Sequence, residues 1–451
     1  MLHEDVLRRR REQTGGSLAE VVRAFGHALD LADGQPDGHS TRACYLGCLL
    51  GQEIGLAPRE LGELFFVLLL KDLGSSANAA RIGEIFQTDD LHFKRALKTL
   101  PANRPARLRA LVAQCARDRP LARRIPVIAN FLLHRDAIAQ ELVQLRASRG
   151  ATLAAGLGLA PAICSGIYHL DEHWDGSGRP SHLSGAAIPL YARIAQIAQV
   201  ADIFYIHGGP SAAIDEVTAR AGRQLDPSLA EAFGRVAERA RSWADLGSTA
   251  LPGMLFTLVP EARDMLIDED ALDRLAAVFG QVVDAKSAYT AGHSTRLVVL
   301  VDRVAARLGM LPARRRALCR AAALHDVGKL GIPTTILDKP SALGESEWEL
   351  MRGHAGRTRA LLGKIGIFSE MAAFAAAHHE RLDGMGYPSG LDDAAIARET
   401  RIITVCDFYD ALTSNRPYRP ALSPAEALAA MQAEVGKGID GEVFAALQSV
   451  L

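Results

Sequence analysis

The stretch Gly-His-Ser-Thr-Arg occupies residues 38–42 and occurs a second time, unchanged, at residues 292–296. At the same offset of 254 residues, residues 71–74 (Lys-Asp-Leu-Gly) align with residues 325–328 (His-Asp-Val-Gly). Matching segments in the same order are the signature of an internal repeat. Because only two copies are present, the repeat indicates a duplicated domain and not a solenoid.

A later pair of matching segments shows that the first copy is longer than the second. Residues 175–180 (Asp-Gly-Ser-Gly-Arg-Pro) correspond to residues 383–388 (Asp-Gly-Met-Gly-Tyr-Pro), at a shorter offset of 208 residues. The first copy must therefore contain an insertion of about 46 residues. We place this insertion between Gly74 and Pro161, where the sequence is charged and helical in pattern.

The composition favours an all-α fold. Hydrophobic residues make up 49% of the 451 residues, and the strong helix formers Ala and Leu dominate them. Apolar side chains recur at helical intervals, as they do across residues 272–282 and 297–308. We predict two tandem helical domains, 1–255 and 256–451, with the insertion as an additional helical segment in the first.

Charge and hydropathy narrow the class of partner. The formal net charge is −1, which argues against a nucleic-acid polymer as the ligand but allows a local basic pocket. No uncharged apolar run reaches the roughly 20 residues that span a bilayer, so no membrane segment is expected. Six scattered cysteines without a Cys-x-x-Cys motif, and a start without an apolar signal core, favour a cytoplasmic location.

The second copy concentrates side chains that bind metals. Only five histidines follow His207, and two aspartates stand out with them. The seven candidate ligands are His293, His325, Asp326, His354, His378, His379 and Asp407. Imidazole and carboxylate groups suit ions such as Fe, Mn, Co or Zn, and one carboxylate can bridge two ions. Seven ligands exceed the needs of one tetrahedral ion and suit two ions with open positions.

The positions of these residues strengthen the hypothesis. A single histidine on an apolar helix is more often a core or surface residue than a ligand. However, His325-Asp326 and His378-His379 each follow an alanine-rich apolar segment, and buried polar groups need partners. The fold alone leaves a helical adaptor built from two bundles as an open alternative.

The second copy resembles an HD-GYP domain, a branch of the HD phosphohydrolase superfamily. Residues 325–329 (His-Asp-Val-Gly-Lys) match the HD motif with its following lysine. Residues 378–388 match the signature that names the branch, and residues 351–354 and 407–412 match its flanking segments. The resemblance covers about residues 270–451. It implies an all-helical domain similar to phosphodiesterases that hydrolyse cyclic di-GMP with two or three Fe or Mn ions.

The resemblance also implies a role for each matching residue. One metal ion would be held by His293, His325, Asp326 and Asp407. Asp326 would bridge to a second ion, for which the further ligands would be His354, His378 and His379. Lys329, three residues after Asp326, would contact the phosphate and stabilise its growing negative charge.

Three further residues are expected to face the substrate. Arg416 and Arg419 match a family segment that binds ligand phosphates or guanine edges, which the planar guanidinium pairs with bidentately. A surface turn is the open alternative for both arginines. Tyr387, with Pro388, would shape the loop over the ligand.

Some relatives have a glutamate four residues before the first histidine that serves as a ligand for a third metal, but here that residue is Tyr289. A phenol is a poor ligand near neutral pH, so we expect two ions.

The first copy has lost most of this set. The histidine of the HD motif is replaced by Lys71, the double histidine by Leu170-Asp171 and the signature tyrosine by Arg179. Asp202 could correspond to Asp407, although only with a three-residue slip. We therefore expect a degenerate HD-type domain with a structural, dimerising or ligand-sensing role. One alternative is a new metal site, for which the candidate ligands are His39, His169, His173, Asp175 and His182.

These inferences lead to one main function and two alternatives. The main hypothesis is a metal-dependent phosphodiesterase in which a bridging hydroxide hydrolyses cyclic di-GMP to linear pGpG, with further hydrolysis to GMP left open. One alternative is a related substrate such as cyclic GMP-AMP. The other is a non-catalytic scaffold that binds a cyclic dinucleotide. A homodimer through the first domain is also expected.

Overall fold

The computed structural model describes residues 18–100, 104–264 and 267–451. Within these ranges the chain is helical, and no β-strand longer than an isolated bridge is present. The all-α prediction is therefore confirmed. No helix among the described residues combines the length and the apolar character needed to cross a bilayer.

The chain forms two compact units, Met1–Ile267 and Asp268–Leu451. The boundary lies twelve residues after the predicted division between residues 255 and 256. The reason is that the two short helices before the boundary pack on helices of the first unit. Their side chains Leu255 and Val259 are fully buried, so this segment belongs to the first hydrophobic core.

The first unit contains thirteen helices in its described residues. These are α1 (Leu18–Ala32), α2 (His39–Glu53), α3 (Pro58–Leu70), α4 (Ala79–Phe86), α5 (Asp90–Lys98), α6 (Arg104–Gln114), α7 (Leu121–Gly156), α8 (Pro161–Tyr168), α9 (Leu190–Arg220), α10 (Pro227–Ala237), α11 (Ala240–Ala244), α12 (Leu251–Leu258) and α13 (Pro260–Asp264). Helix α2 packs between α3 and α9. Helix α9 is kinked at Gly208 and Gly209, where the backbone leaves the helical region.

The predicted insertion is visible as a helical subdomain of the first unit. Helices α4 to α6 and the first part of α7 bury their own apolar cluster, which includes Phe86, Phe93 and Phe131. The rings pack at tilted angles, with 4.2 Å between the centroids of Phe86 and Phe93 and 5.4 Å between those of Phe86 and Phe131. This separate cluster explains why the insertion can extend the domain without disturbing the core of the repeat.

The second unit is shorter and contains nine helices. These are α14 (Glu269–Asp284), α15 (His293–Arg307), α16 (Pro312–Leu324), α17 (Thr334–Leu337), α18 (Glu345–Gly363), α19 (Ser369–Ala376), α20 (Arg398–Thr413), α21 (Pro424–Gln432) and α22 (Gly441–Val450). Helix α15 packs against α16 and α20, and α18 packs against α19 and the 3₁₀ turn Val327–Gly331. These contacts bring the ends of several helices to one place.

Candidate metal centre

Five of the seven candidate ligands lie at or near helix ends in the second unit. His293 is the first residue of α15 and follows Gly292, whose φ of 72° reverses the chain. His325 and Asp326 follow the last residue of α16, and His378 and His379 follow α19 by two and three residues. His354 lies in the middle of α18 and Asp407 lies within α20. All seven predicted ligands converge, and their donor atoms form three overlapping groups.

The first group contains His293, His325 and Asp407. The Nε2 atoms of the two histidines are 3.5 Å apart. The Oδ1 atom of Asp407 lies 3.4 Å from Nε2 of His293 and 3.9 Å from Nε2 of His325. Three ligand atoms of mixed type therefore surround one point, as a cation site requires.

The second group contains His354, His378 and His379. The Nε2 atoms of His354 and His378 are 3.4 Å apart, and the ring centroids of His378 and His379 are 4.0 Å apart. The ligand atoms of the three residues lie within 4.8 Å of one another. The double histidine thus contributes both of its rings to one side of the centre.

Asp326 lies between the two groups. Its Oδ2 atom is 3.3 Å from Nε2 of His325, and its Oδ1 atom is 3.4 Å from Nε2 of His354 and 3.7 Å from Nε2 of His378. The Oδ1 atom is buried and accepts no hydrogen bond. A buried carboxylate oxygen without a donor is costly unless a cation occupies the space in front of it.

Backbone contacts fix the tautomers of three histidines. In each, Nδ1 lies 2.6–2.7 Å from the carbonyl oxygen three residues earlier and must carry the proton that it donates. The three are His325, His354 and His378. Their Nε2 lone pairs are thereby directed into the centre, where two such atoms 3.4–3.5 Å apart repel each other. Divalent ions between the groups would relieve this repulsion, so the residues fit the metal ions that the sequence predicts.

The electrostatics of the centre also favour a cation. Burial lowers the pKa of His354 to about 4 and that of His378 to about 3, which keeps both rings neutral. Burial would raise the pKa of Asp326, but the charges of His325 and Lys329 hold it well below its usual range. Burial also opposes the charge of His325, yet the carboxylates of Asp326 and Asp407 raise its pKa. The neutral imidazoles of His354 and His378 thus lie beside the ionised carboxylate of Asp326, and these are the protonation states in which such groups bind metals.

Asp410 supports the centre without entering it, and the sequence analysis assigned it no role. Its Oδ2 atom accepts a hydrogen bond of 2.7 Å from Nδ1 of His293, and both oxygens accept bonds from Arg296. Burial would raise the pKa of Asp410, but His293 and Arg296 lower it to about 2. One signal was available, because Asp410 follows Asp407 by three residues and so lies near it on the helix surface.

The predicted substrate residues have different positions. Nζ of Lys329 lies 2.5 Å from Oδ2 of Asp326, so this lysine is at the centre. The ring of Tyr387 stacks at 4.7 Å on His379. It also faces Arg352, which lies 5.7 Å from this ring and from that of Trp348, and neither Arg352 nor Trp348 was assigned a role from the sequence.

The two predicted ligand arginines lie in the turn after α20. The guanidinium of Arg419 donates hydrogen bonds to the carbonyls of Ala411 and Leu412, and thereby caps the helix. The backbone N–H of Arg416 donates to the carbonyl of Arg419 at 2.8 Å, which closes the turn. Arg419 therefore has a structural contact that matches the surface-turn alternative, whereas Arg416 is half-buried in the same turn. Tyr289 is 39% exposed and belongs to none of the ligand groups.

Comparison with known proteins identifies the family. The family model described as HD domain matches residues 127–229 and 277–443, which is more than half of the chain. The 3′3′-cGAMP-specific phosphodiesterase 3 of Vibrio cholerae is 42% identical over 434 residues, which cover 96% of this chain and 94% of that protein.

The chain belongs to the HD-GYP family of the HD superfamily.

Solved structures and other relatives agree with this assignment. A crystal structure of a cyclic GMP-AMP specific phosphodiesterase of V. cholerae, at 38% identity, superimposes with a TM-score of 0.66 and covers 96% of this chain and 97% of that one. A cyclic di-GMP phosphodiesterase of Thermotoga maritima is 34% identical over 200 residues, which cover 44% of this chain and 54% of that protein. Both HD-type copies are therefore shared with the relatives that match the whole chain.

Equivalent contacts in the two HD-type copies narrow the position of the insertion. In the second unit, a Cβ on Gly328 would lie 2.1 Å from the carbonyl oxygen of His354. In the first unit, a Cβ on Gly74 would lie 2.0 Å from that of Arg146. Arg146 therefore occupies the position of His354, and the insertion lies between Gly74 and Arg146.

The same comparison corrects the predicted alignment of Asp202. Its carboxylate contacts Nδ1 of His39 and Nε of Arg42, both at 2.7 Å, just as Asp410 contacts His293 and Arg296. Asp202 thus corresponds to Asp410 and not to Asp407. The predicted three-residue slip disappears, because the segment keeps the offset of 208 residues found for the signature loop. Gln199 then occupies the position of Asp407.

Two positions that carry candidate metal ligands in the second copy, those of His325 and His354, carry cations in the first copy. Lys71 forms an ion pair with Asp72 and lies 3.1 Å from Nε2 of His39. Arg146 forms an ion pair with Asp171, which stands at the position of His379. The alternative metal site with His39, His169, His173, Asp175 and His182 is not assembled, since no ligand group among the described residues combines them.

Proposed function

We propose that the protein is a metal-dependent phosphodiesterase that hydrolyses 3′3′-cyclic GMP-AMP. The main support is the second unit's two ligand groups, which share Asp326 and leave its Oδ1 atom without a donor. The substrate is inferred from the V. cholerae relative that matches almost the whole chain. This proposal revises the sequence analysis, which placed cyclic di-GMP first and cyclic GMP-AMP as its alternative.

The residues of the centre divide into two ligand sets. His293, His325 and Asp407 would hold one ion, and a second set would hold the other, with Asp326 shared between them. The second set is His354, His378 and His379. Histidine and carboxylate ligands suit Fe or Mn. When bound, two divalent ions polarise a phosphoryl oxygen and neutralise the charge that develops on it.

Residues around the ions would orient the substrate. The ammonium of Lys329 is 20% exposed and is held by Asp326, so it can reach a phosphate while remaining at the centre. A fixed positive charge there stabilises the additional negative charge of the transition state. The ring of Tyr387 lies next to His379, and the guanidinium of Arg352 lies over that ring, so the pair offers a flat face for a purine base. The product would be a linear dinucleotide.

The direct test is turnover by the full chain, purified without oxygen and supplied with Mn or Fe. Equal concentrations of 3′3′-cyclic GMP-AMP and cyclic di-GMP are followed by chromatography of the linear products. We expect kcat/KM for cyclic GMP-AMP to be at least about tenfold higher, a difference worth about 1.4 kcal/mol. A higher value for cyclic di-GMP would restore the earlier hypothesis, and no turnover of either by metal-loaded protein would favour the scaffold.

A matched pair of variants connects turnover with the centre. Asp326→Asn should abolish turnover and lower the metal content, because the shared carboxylate loses its charge. Asp302→Asn removes an aspartate that pairs with Arg315 on the surface of α15 and should retain both. Normal turnover and metal content in Asp326→Asn would contradict the shared-ligand arrangement.

A homodimer through the first unit also remains a prediction, which the mass of the chain in solution would test.

A further inference from the structure

The first unit contains a cavity of about 780 Å³ at the site that corresponds to the catalytic centre of the second unit. One wall is formed by the inserted helices α4 to α7, and the opposite wall by residues 171–182 and helix α9. The lining includes Asp171, Arg179 and Gln199. These residues stand at the positions of His379, Tyr387 and Asp407 in the second unit. The size is typical of a site for a small ligand.

The lining is strongly basic. Eight lysine and arginine residues line the cavity, against four aspartates. Ion pairs account for part of this charge, since Lys98 contacts Asp33 and Asp72, and Arg146 contacts Asp171. Lysine and arginine side chains therefore neutralise the buried aspartates of the first copy, and no metal ion is needed to do so.

Three other arginines remain poorly compensated. Neither Arg107 nor Arg223 forms a side-chain hydrogen bond or an ion pair with the residues that the structure describes. Arg179 reaches only the exposed Asp136, at 3.4 Å, and its buried Nε atom donates to no acceptor. Burial and the neighbouring guanidinium groups of Arg220, Arg179 and Arg223 lower the pKa of Arg107. The carboxylate of Asp171 acts against this lowering of the pKa of Arg107, but it already forms an ion pair with Arg146, so the three arginines leave an excess of positive charge in the cavity.

Much of the remaining surface of the cavity is apolar. Leu97, Leu108 and Leu111 are only partly buried where they pack on the phenylalanine cluster of the inserted helices, and all three line the cavity. An apolar surface beside a group of guanidinium groups suits a molecule with a flat base at one end and phosphate at the other. An inorganic anion would contact only the guanidinium groups, and a purely apolar molecule would contact only the leucines.

We propose that the first unit binds a phosphorylated nucleotide in this cavity without hydrolysing it. Arg107, Arg179 and Arg223 contact the phosphate, and the leucine wall contacts the base. Hydrolysis does not occur because Lys71 and Arg146 stand where the second unit has His325 and His354, so the metal ligands are missing. This site lies in a different unit from the candidate metal centre.

The experiment uses the full chain carrying Asp326→Asn, in EDTA, with calorimetric titration of three probes. The probes are 3′3′-cyclic GMP-AMP, GMP and inorganic phosphate, and they distinguish a dinucleotide, a mononucleotide and a simple anion. We expect saturable binding of at least one of the two nucleotides, weakened by added salt because exposed charges are screened. Binding of phosphate alone, or of no probe, would overturn the proposal.

Variants then locate the binding site. Arg107→Gln and Arg179→Gln should each weaken nucleotide binding at least about tenfold, the effect of losing one charge-assisted contact. The matched control is Arg109→Gln, because Arg109 lies on the same helix as Arg107 but is exposed and outside the cavity. Circular dichroism checks that each variant is folded. If the nucleotide affinity is unchanged in both cavity variants but lost in Tyr387→Ala, the ligand binds in the second unit. That result would overturn the proposal.

Discussion

At the scale of single residues, the centre depends on groups that fix the ligands as much as on the ligands themselves. Three histidines are oriented by backbone carbonyls and a fourth, His293, by Asp410. Lys329 adds a positive charge 2.5 Å from the shared carboxylate. These supporting contacts lead to two predictions that separate metal binding from chemistry.

Lys329→Ala should retain the metal ions but slow the chemical step. The loss of one preorganised group that stabilises charge costs roughly 10²–10³-fold in rate. The measurement is kcat at saturating substrate together with metal content. A kcat equal to that of the unchanged chain would assign Lys329 a purely structural role.

Asp410→Asn should weaken the metal site by way of His293. A neutral amide holds the imidazole less firmly and makes it a poorer ligand, an effect typically of about 10–100-fold in metal affinity. Titration of the metal-free chain with Mn measures this change, and excess Mn should restore turnover. If turnover stayed low with the metal saturated, Asp410 would act in the chemical step instead.

At the scale of elements, short loops after helices carry the site. The signature loop is held by Glu380, which accepts hydrogen bonds from the backbone N–H groups of Ser389 and Leu391 at 2.7 and 2.8 Å. Glu172 holds the first copy's loop in the same way through Ser181 and Leu183. The loop scaffold thus survives in the copy that has lost its metal ligands, because the scaffold depends on one carboxylate and backbone donors.

Gly328→Ala tests the contact between the HD motif and α18. A Cβ on Gly328 would lie 2.1 Å from the carbonyl oxygen of His354, so the backbone of α18 would have to move. We expect a loss of about 1–3 kcal/mol in the free energy of unfolding, as for overpacked cores, with reduced metal content.

Gly363→Ala is the matched control for this substitution. Gly363 is the last residue of α18, and a Cβ there would meet no other atom within 4 Å. Alanine favours helix, so this variant should be as stable as the unchanged chain or slightly more stable. Thermal unfolding of both variants checks the pair. Equal stability of the two would show that α18 can move away from the HD motif at no cost.

At the scale of the whole molecule, the duplication leaves one unit with the seven candidate metal ligands and one in which Lys71 and Arg146 replace two of them. A fragment of residues 268–451 should fold and hold its metal ions, because all seven candidate ligands and their supporting groups lie within it. Metal analysis and solution mass of the purified fragment check this. A folded fragment without metal would show that the first unit contributes to the centre.

The sequence by itself determined the duplication, the helical class and the seven candidate ligands, because metal chemistry accepts few residue types and each had to be present. It could not align Arg146 with His354, because the insertion separates Arg146 from the Lys71-Asp72 motif of the first copy and because arginine is not a metal ligand. It also could not assign Leu255 and Val259 to a core, because apolar spacing does not say against which unit a helix packs. The basic cavity was hidden for the same reason. Arg107, Arg179 and Arg223 are far apart in sequence. Only the packing of the inserted helices against residues 171–182 and α9 brings their charges together.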